Sequence, residues 1–77
     1  MTYEKAKSIA LNYNSAVNAC YEYDKGYYFY VRGIEADGGG CDFVVVKESG
    51  KCVSMASFIC DYHPNPKRKR IKFNPIL

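Results

Sequence analysis

Five side chains invite a chemical reading: Cys20, Cys41, Cys52, Cys60 and His63 are of the types that ligate metals or serve as nucleophile and base. Structural zinc sites are built from close pairs such as Cys-x2-4-Cys. Here successive cysteines stand twenty-one, eleven and eight positions apart, and only Cys60 and His63 have a knuckle-like separation. A site of Cys41, Cys52, Cys60 and His63 would need the last hairpin and its exit to converge. Four thiols in a reducing compartment are expected instead to be free and largely buried, and no metal or other cofactor is expected. A nucleophilic relay would take Cys60 or Cys41 as nucleophile, His63 as base, and Asp61 or Asp42 to orient it. Neighbours on an extended strand point to opposite faces, so Cys60, Asp61 and His63 do not form that relay, and Pro64 biases His63 towards an extended conformation. No paired carboxylates stand at a recognisable spacing. Gly38-Gly39-Gly40 lacks the Lys-Ser/Thr of a phosphate loop and does not open a helix. The expectation is a chain that is not an enzyme.

Charge and aromatic content point to binding instead. Five basic residues, Lys67, Arg68, Lys69, Arg70 and Lys72, crowd near the C-terminus, leaving six basic against eight acidic groups elsewhere within a net charge of +3. A mildly acidic body with a basic tail suits an acidic partner, nucleic acid included, or a solvated terminus that aids solubility. Eight Tyr and four Phe with no Trp make the chain aromatic-rich. Alternation along Tyr27 to Arg32 places Tyr28, Tyr30 and Arg32 on one strand face and Tyr27, Phe29 and Val31 on the other. Tyr28, Tyr30 and Arg32 are the expected protein-binding residues, because tyrosine supplies contact area at low entropic cost and keeps a hydroxyl for hydrogen bonding. Lys67, Arg68, Lys69, Arg70 and Lys72 are the alternative, a nucleic-acid contact supported by tyrosine stacking.

The elements that must position these residues follow from periodicity. Thr2 is an N-cap candidate with Glu4 in the first turn, and Ala6, Ile9, Ala10, Tyr13, Ala16 and Val17 recur at spacings of three and four. The pattern predicts an amphipathic helix over residues 3–17, fraying anywhere from Asn14 to Asn18. From Cys20 the period becomes two: Tyr21-Glu22-Tyr23 meets a turn at Asp24-Lys25-Gly26 and a strand from Tyr27 to about Ile34. Beyond the connection from Glu35 to Gly40, two apolar runs, Cys41–Lys47 and Lys51–Ile59, flank Glu48-Ser49-Gly50. A two-residue Ser49-Gly50 turn would pair Glu48 with Lys51, Val46 with Val53 and Val44 with Met55. The Val44, Val46, Val53 and Met55 face is then expected to receive the helix, with Phe43, Val45, Ser54 and Ala56 opposite. Pro64 and Pro66 end the sheet, and the tail either lacks structure or adds Arg70-Ile71-Lys72-Phe73 as a short edge strand. The fold class is therefore α+β, an N-terminal helix packed on a three- to four-stranded antiparallel β-meander. Residues 1–63 make one domain, and 64–77 a basic tail.

This order of helix, tyrosine-rich strand pair, glycine-rich connection and Ser-Gly hairpin resembles the small bacterial YrhB-type toxin-immunity domains. It is also similar to the helix-plus-meander unit of PepSY-like domains. The likeness runs from Thr2 to Met55 and is strongest at Gly26-Tyr27-Tyr28-Phe29 and at Val44-Val45-Val46-Lys47-Glu48-Ser49-Gly50-Lys51. It implies a small, non-catalytic module that binds another protein, of immunity or inhibitor type. Homodimerisation through an edge strand and nucleic-acid binding are the other partner expectations. No run reaches the ~18 apolar residues of a membrane span and the N-terminus lacks signal-peptide features, so a cytoplasmic location without a membrane partner is expected.

Overall fold

A computed structural model describes residues 1–31 and 42–72. The chain runs α1 (Tyr3–Tyr13), β1 (Ala19–Glu22), β2 (Gly26–Tyr30), β3 (Phe43–Val46), β4 (Cys52–Val53), α2 (Met55–Tyr62) and β5 (Lys69–Ile71). The five strands form one antiparallel sheet in the order β4-β3-β2-β1-β5. The class is α+β, as the periodicity indicates, with a meander of β1 to β4, a fifth strand and a second helix.

Thr2 caps α1 in extended geometry, its hydroxyl accepting the Lys5 N–H at 3.2 Å. The helix stops at the early end of its expected range because the Asn14 side chain accepts the Ala16 N–H at 3.0 Å, giving the backbone an alternative to another helical turn. Ala6 and Ala10 are fully buried, and their small side chains bring α1 close to the sheet, where Val17, Cys20, Tyr27, Phe29, Phe43 and Val45 complete one core cluster.

The hairpin between β3 and β4 corrects the expected register. Val44 lies opposite Val53 and Val45 opposite Cys52, two residues displaced from the Ser49-Gly50 scheme. Lys47 to Gly50 form a wider turn. Gly50 closes it at φ +76°, donating to the Val46 carbonyl at 2.7 Å, while the Val46 N–H donates to the Lys51 carbonyl at 2.9 Å. Glycine takes up that left-handed conformation without a Cβ penalty. A slip of two residues preserves which face each side chain occupies, so Val44, Val46, Val53 and Met55 still cluster.

The covering of that cluster is a second correction. The expected strand through Ile59 stops at Val53, and Met55–Tyr62 is helical instead. Ser54 caps α2, its Oγ accepting the Ser57 N–H at 3.1 Å, and Met55, Phe58 and Tyr62, at helical spacings of three and four, turn to the sheet. It is therefore α2 that covers Val44 and Val46, while α1 covers the Phe43 and Val45 side. Gly26 allows this approach: a Cβ there would lie 2.9 Å from Val44 Cγ1 and 3.1 Å from Phe58 Cε1. The helix ends at His63, which is left-handed (φ 48°, ψ 55°) rather than extended, its N–H donating to the Ile59 carbonyl at 3.2 Å.

Of the two readings of the tail, an edge strand paired with β1 is the one observed, but over Lys69–Ile71 rather than from Arg70 onwards; Phe73 lies outside the described residues. Two hydrogen bonds steer the chain there. The Asn65 N–H donates to the Asp24 carboxylate at 3.0 Å across the β1–β2 turn, and Asn65 Oδ1 accepts the Lys67 N–H at 2.9 Å. Among the described residues no helix is long and apolar enough to cross a membrane.

Candidate surface of stacked tyrosines and a basic strand

Strand pairing decides which side chains share a face. Tyr21 lies opposite Tyr28 across β1 and β2, and Ala19 opposite Tyr30, so all four belong to the α2 side of the sheet. β2 extends beyond the end that α2 covers, leaving Tyr21, Tyr28 and Tyr30 half-buried there. Their rings form a column. Tyr28 and Tyr30 lie 5.3 Å apart at 18°, and Tyr30 and Tyr21 5.7 Å apart at 9°. Both ends of the column are pinned. The Arg68 guanidinium carbon sits 4.2 Å from the Tyr21 ring centroid, and the Tyr28 hydroxyl donates to Asp42 Oδ2 at 2.9 Å.

Protonation supports the same arrangement. Burial, followed by the hydrogen bond to Asp42, pushes the Tyr28 phenol up to about 12, so it remains a donor across the physiological range. Interaction with the Tyr23 hydroxyl favours the charged form of Arg68.

β5 extends this surface. Arg70 lies opposite Tyr21, so alternation turns Arg68, Arg70 and Lys72 towards the tyrosine side and Lys67 and Lys69 towards the other. Lys67, Arg68, Lys69, Arg70 and Lys72 are all exposed. Tyr28 and Tyr30 from the first expected site and Arg68, Arg70 and Lys72 from the alternative site therefore belong to one continuous surface, joined by Tyr21, whereas Lys69 lies on the opposite face beside Glu22. Sequence reasoning omitted Tyr21. Its signal was the alternation Tyr21-Glu22-Tyr23 facing Tyr27-Tyr28 across the Asp24-Lys25-Gly26 turn, which fixes Tyr21 opposite Tyr28. Arg32 lies outside the described residues.

The sulfur chemistry goes elsewhere. Cys20 is buried in the α1 core, where burial and then the charge of Glu22 push its thiol up to about 12, leaving an inert apolar side chain. Cys52 is half-buried on β4, and Cys60 is exposed on α2; these three are free, and Cys41 lies outside the described residues. Among the described residues no group of three or more His, Cys, Asp or Glu side chains converges to hold a metal ion. Cys60 and Asp61 lie on α2, with His63 as its cap, so the extended geometry expected around them is absent.

Comparison of the chain with family models, with curated proteins and with solved structures returns no match.

Proposed function

We propose that this chain is a non-enzymatic protein-binding module, of the immunity or inhibitor type, that holds its partner through the Tyr21, Tyr28 and Tyr30 column with Arg68 and Arg70 beside it. The observation that carries this reading is the pinned column itself. Three tyrosines held between an arginine and an aspartate have already lost much of the rotamer freedom that binding would otherwise remove. Tyr and Arg are also the types that dominate interface energetics once desolvated. Arg32 remains in the proposal on sequence alternation alone.

The test is capture of partners from native lysate on immobilised wild type, Tyr30→Ala and Arg68→Ala, followed by titration of the captured protein against each purified variant. A partner whose affinity falls about tenfold or more in both variants supports the reading. A partner set indifferent to both variants counts against it.

A second reading, single-stranded nucleic acid, is favoured by the five exposed cations between Lys67 and Lys72, of which Arg68, Arg70 and Lys72 lie on the tyrosine side. Against it, the column's ring faces already contact one another and Arg68, so a stacking base must displace one of them. Because Lys69–Ile71 belongs to the sheet, neutralising Arg70→Gln and Lys72→Gln tests this reading better than truncation. Nucleic-acid binding predicts a gel shift at low salt that weakens steeply with added salt and whose salt slope falls by about one per cation removed. Absence of any shift at low salt would sink it.

A further inference from the structure

Among the described residues the sheet has two edges, and they differ. β4 offers only Cys52 and Val53 before Ser54 turns the chain into α2, too little strand to template another. β5 is the other edge, and its backbone polarity follows from the pairing. The Tyr23 N–H donates to the Gly26 carbonyl at 2.8 Å, which assigns Tyr23 and, by alternation, Tyr21 to the hydrogen bonds with β2. Cys20 and Glu22 are then the β1 residues that bond to β5, at Ile71 and Lys69. The amide and carbonyl of Arg70 consequently point away from β1, out of the sheet.

Charge selects what that edge accepts. A second copy pairing antiparallel about Arg70 would set Arg70 against Arg70 and Arg68 against Lys72, and like charges directly opposite are destabilising. An extended segment carrying acidic residues at alternate positions has the opposite relation to Arg68, Arg70 and Lys72. A cleft of about 300 Å3 at the start of β5, lined by Lys47, Lys67, Arg68 and Lys69 together with Glu22 and Asp24, has cations in excess for a further carboxylate.

We propose that β5 is a docking edge on which an acidic, extended segment of the partner protein adds as a sixth strand, through the outward amide and carbonyl of Arg70 and the cations of the tyrosine side. The proposal rests on the protein-binding reading above and names the part of the partner that is recognised.

The probe is a capped peptide of about ten residues alternating Glu and Val, long enough to pair along β5, with a Lys-Val peptide of equal length as control. Binding to the full chain is followed by fluorescence anisotropy at low salt. Arg70→Gln removes the charge and keeps the N–H. Arg70→Pro removes both, at a position whose N–H does not pair with β1, where an edge strand tolerates proline. The expected result is binding of the Glu-Val peptide alone, weakened a few-fold by Arg70→Gln and about tenfold further by Arg70→Pro. Equal loss in the two variants, equal binding of the Lys-Val peptide, or no binding of Glu-Val overturns the proposal.

Hydrogen exchange on the wild type covers the case in which the proline variant does not fold. The Arg70 amide gains protection on adding Glu-Val peptide while Lys69 and Ile71, already bonded to β1, change little; no gain at Arg70 overturns the proposal. A captured partner that still depends on Tyr30 while these results fail removes the edge assignment alone. Loss of that dependence removes the protein-binding reading itself.

Discussion

The two faces of the sheet start from similar material and end differently. On one, α1 lays Ala6 and Ala10 against Tyr27, Phe29, Phe43 and Val45, and the result is a closed apolar core. On the other, α2 is only eight residues long, about 12 Å at the usual helical rise, and it covers Val44 and Val46 at one end. The remainder of that face carries Tyr21, Tyr28 and Tyr30, whose hydroxyls tolerate the boundary with water. A short second helix thus divides one sheet face into a structural half and an accessible half. Tyr28 belongs to both, packing against the α2 cluster while its ring joins the column.

Removing each face's central ring is the strongest way to break this contrast. Phe29→Ala should cost about 3–5 kcal/mol, against a total stability of roughly 4–12 kcal/mol expected for 77 residues. Urea unfolding should show a large fall in midpoint or no folded baseline. Phe58→Ala should cost a similar amount or less, because α2 sits at one end of its face and has room to shift. If Phe58→Ala proves clearly the more damaging, the assignment of α1 as the principal core helix is wrong.

Gly26→Ala comes next. Its added methyl group meets Val44 and Phe58 at close to 3 Å, and overpacking of this kind costs about 1–3 kcal/mol, readable as a lowered melting temperature. An unchanged melting temperature would mean that α2 is not seated over Gly26. Tyr30→Ala should cost less stability than any of these yet have the largest effect on partner affinity, and that separation between folding and binding is what the divided face predicts.

The pH response provides a gentler probe. Burial raises the Cys20 thiol from 9.0 to about 12, and raises the Tyr3 and Tyr28 phenols from 10.0 to about 12. A raised folded-state value means that the native state holds these protons more tightly than the unfolded chain. Their stabilisation is complete below pH 9 and is lost progressively as pH rises from about 9 towards 12. A melting temperature that does not fall over this window contradicts the assigned burial. The smallest effect should come from Glu22→Gln, which removes the 2.7 Å ion pair with Lys47. Both side chains are partly exposed, so the loss should be about 0–1 kcal/mol and should shrink with added salt.

Local signals were sufficient for some of this architecture. The Thr2 cap, the three- and four-residue spacing that follows it and the Asp24-Lys25-Gly26 turn are short-range features, and α1, β1 and β2 began where they indicated, although α1 stopped at Tyr13 and β2 at Tyr30, short of the expected Val17 and Ile34. The segment from Lys51 to Ile59 misled because Cys52, Ser54, Ala56 and Phe58 alternate against Val53, Met55 and Ser57 about as readily as Met55, Phe58 and Tyr62 recur helically. The Ser54 cap favours the helix. Assigning the Val44 and Val46 face of β3 to α1 failed because Phe43, Val44, Val45 and Val46 are all buried, and a strand covered on both sides carries no alternation to choose between its faces.

The sequence by itself thus determined the α+β class, the capped first helix, the first hairpin and the alternation that turns Tyr28 and Tyr30 to one side. Only the tertiary structure decided which helix covers which face, and that the basic segment becomes β5 beside β1. Those outcomes depend on contacts between residues far apart in the chain, such as Asp24 with Asn65 and Tyr21 with Arg68, and no local period encodes them. The tyrosines and the cations were each visible along the chain; their union in one surface required β1 to lie between them.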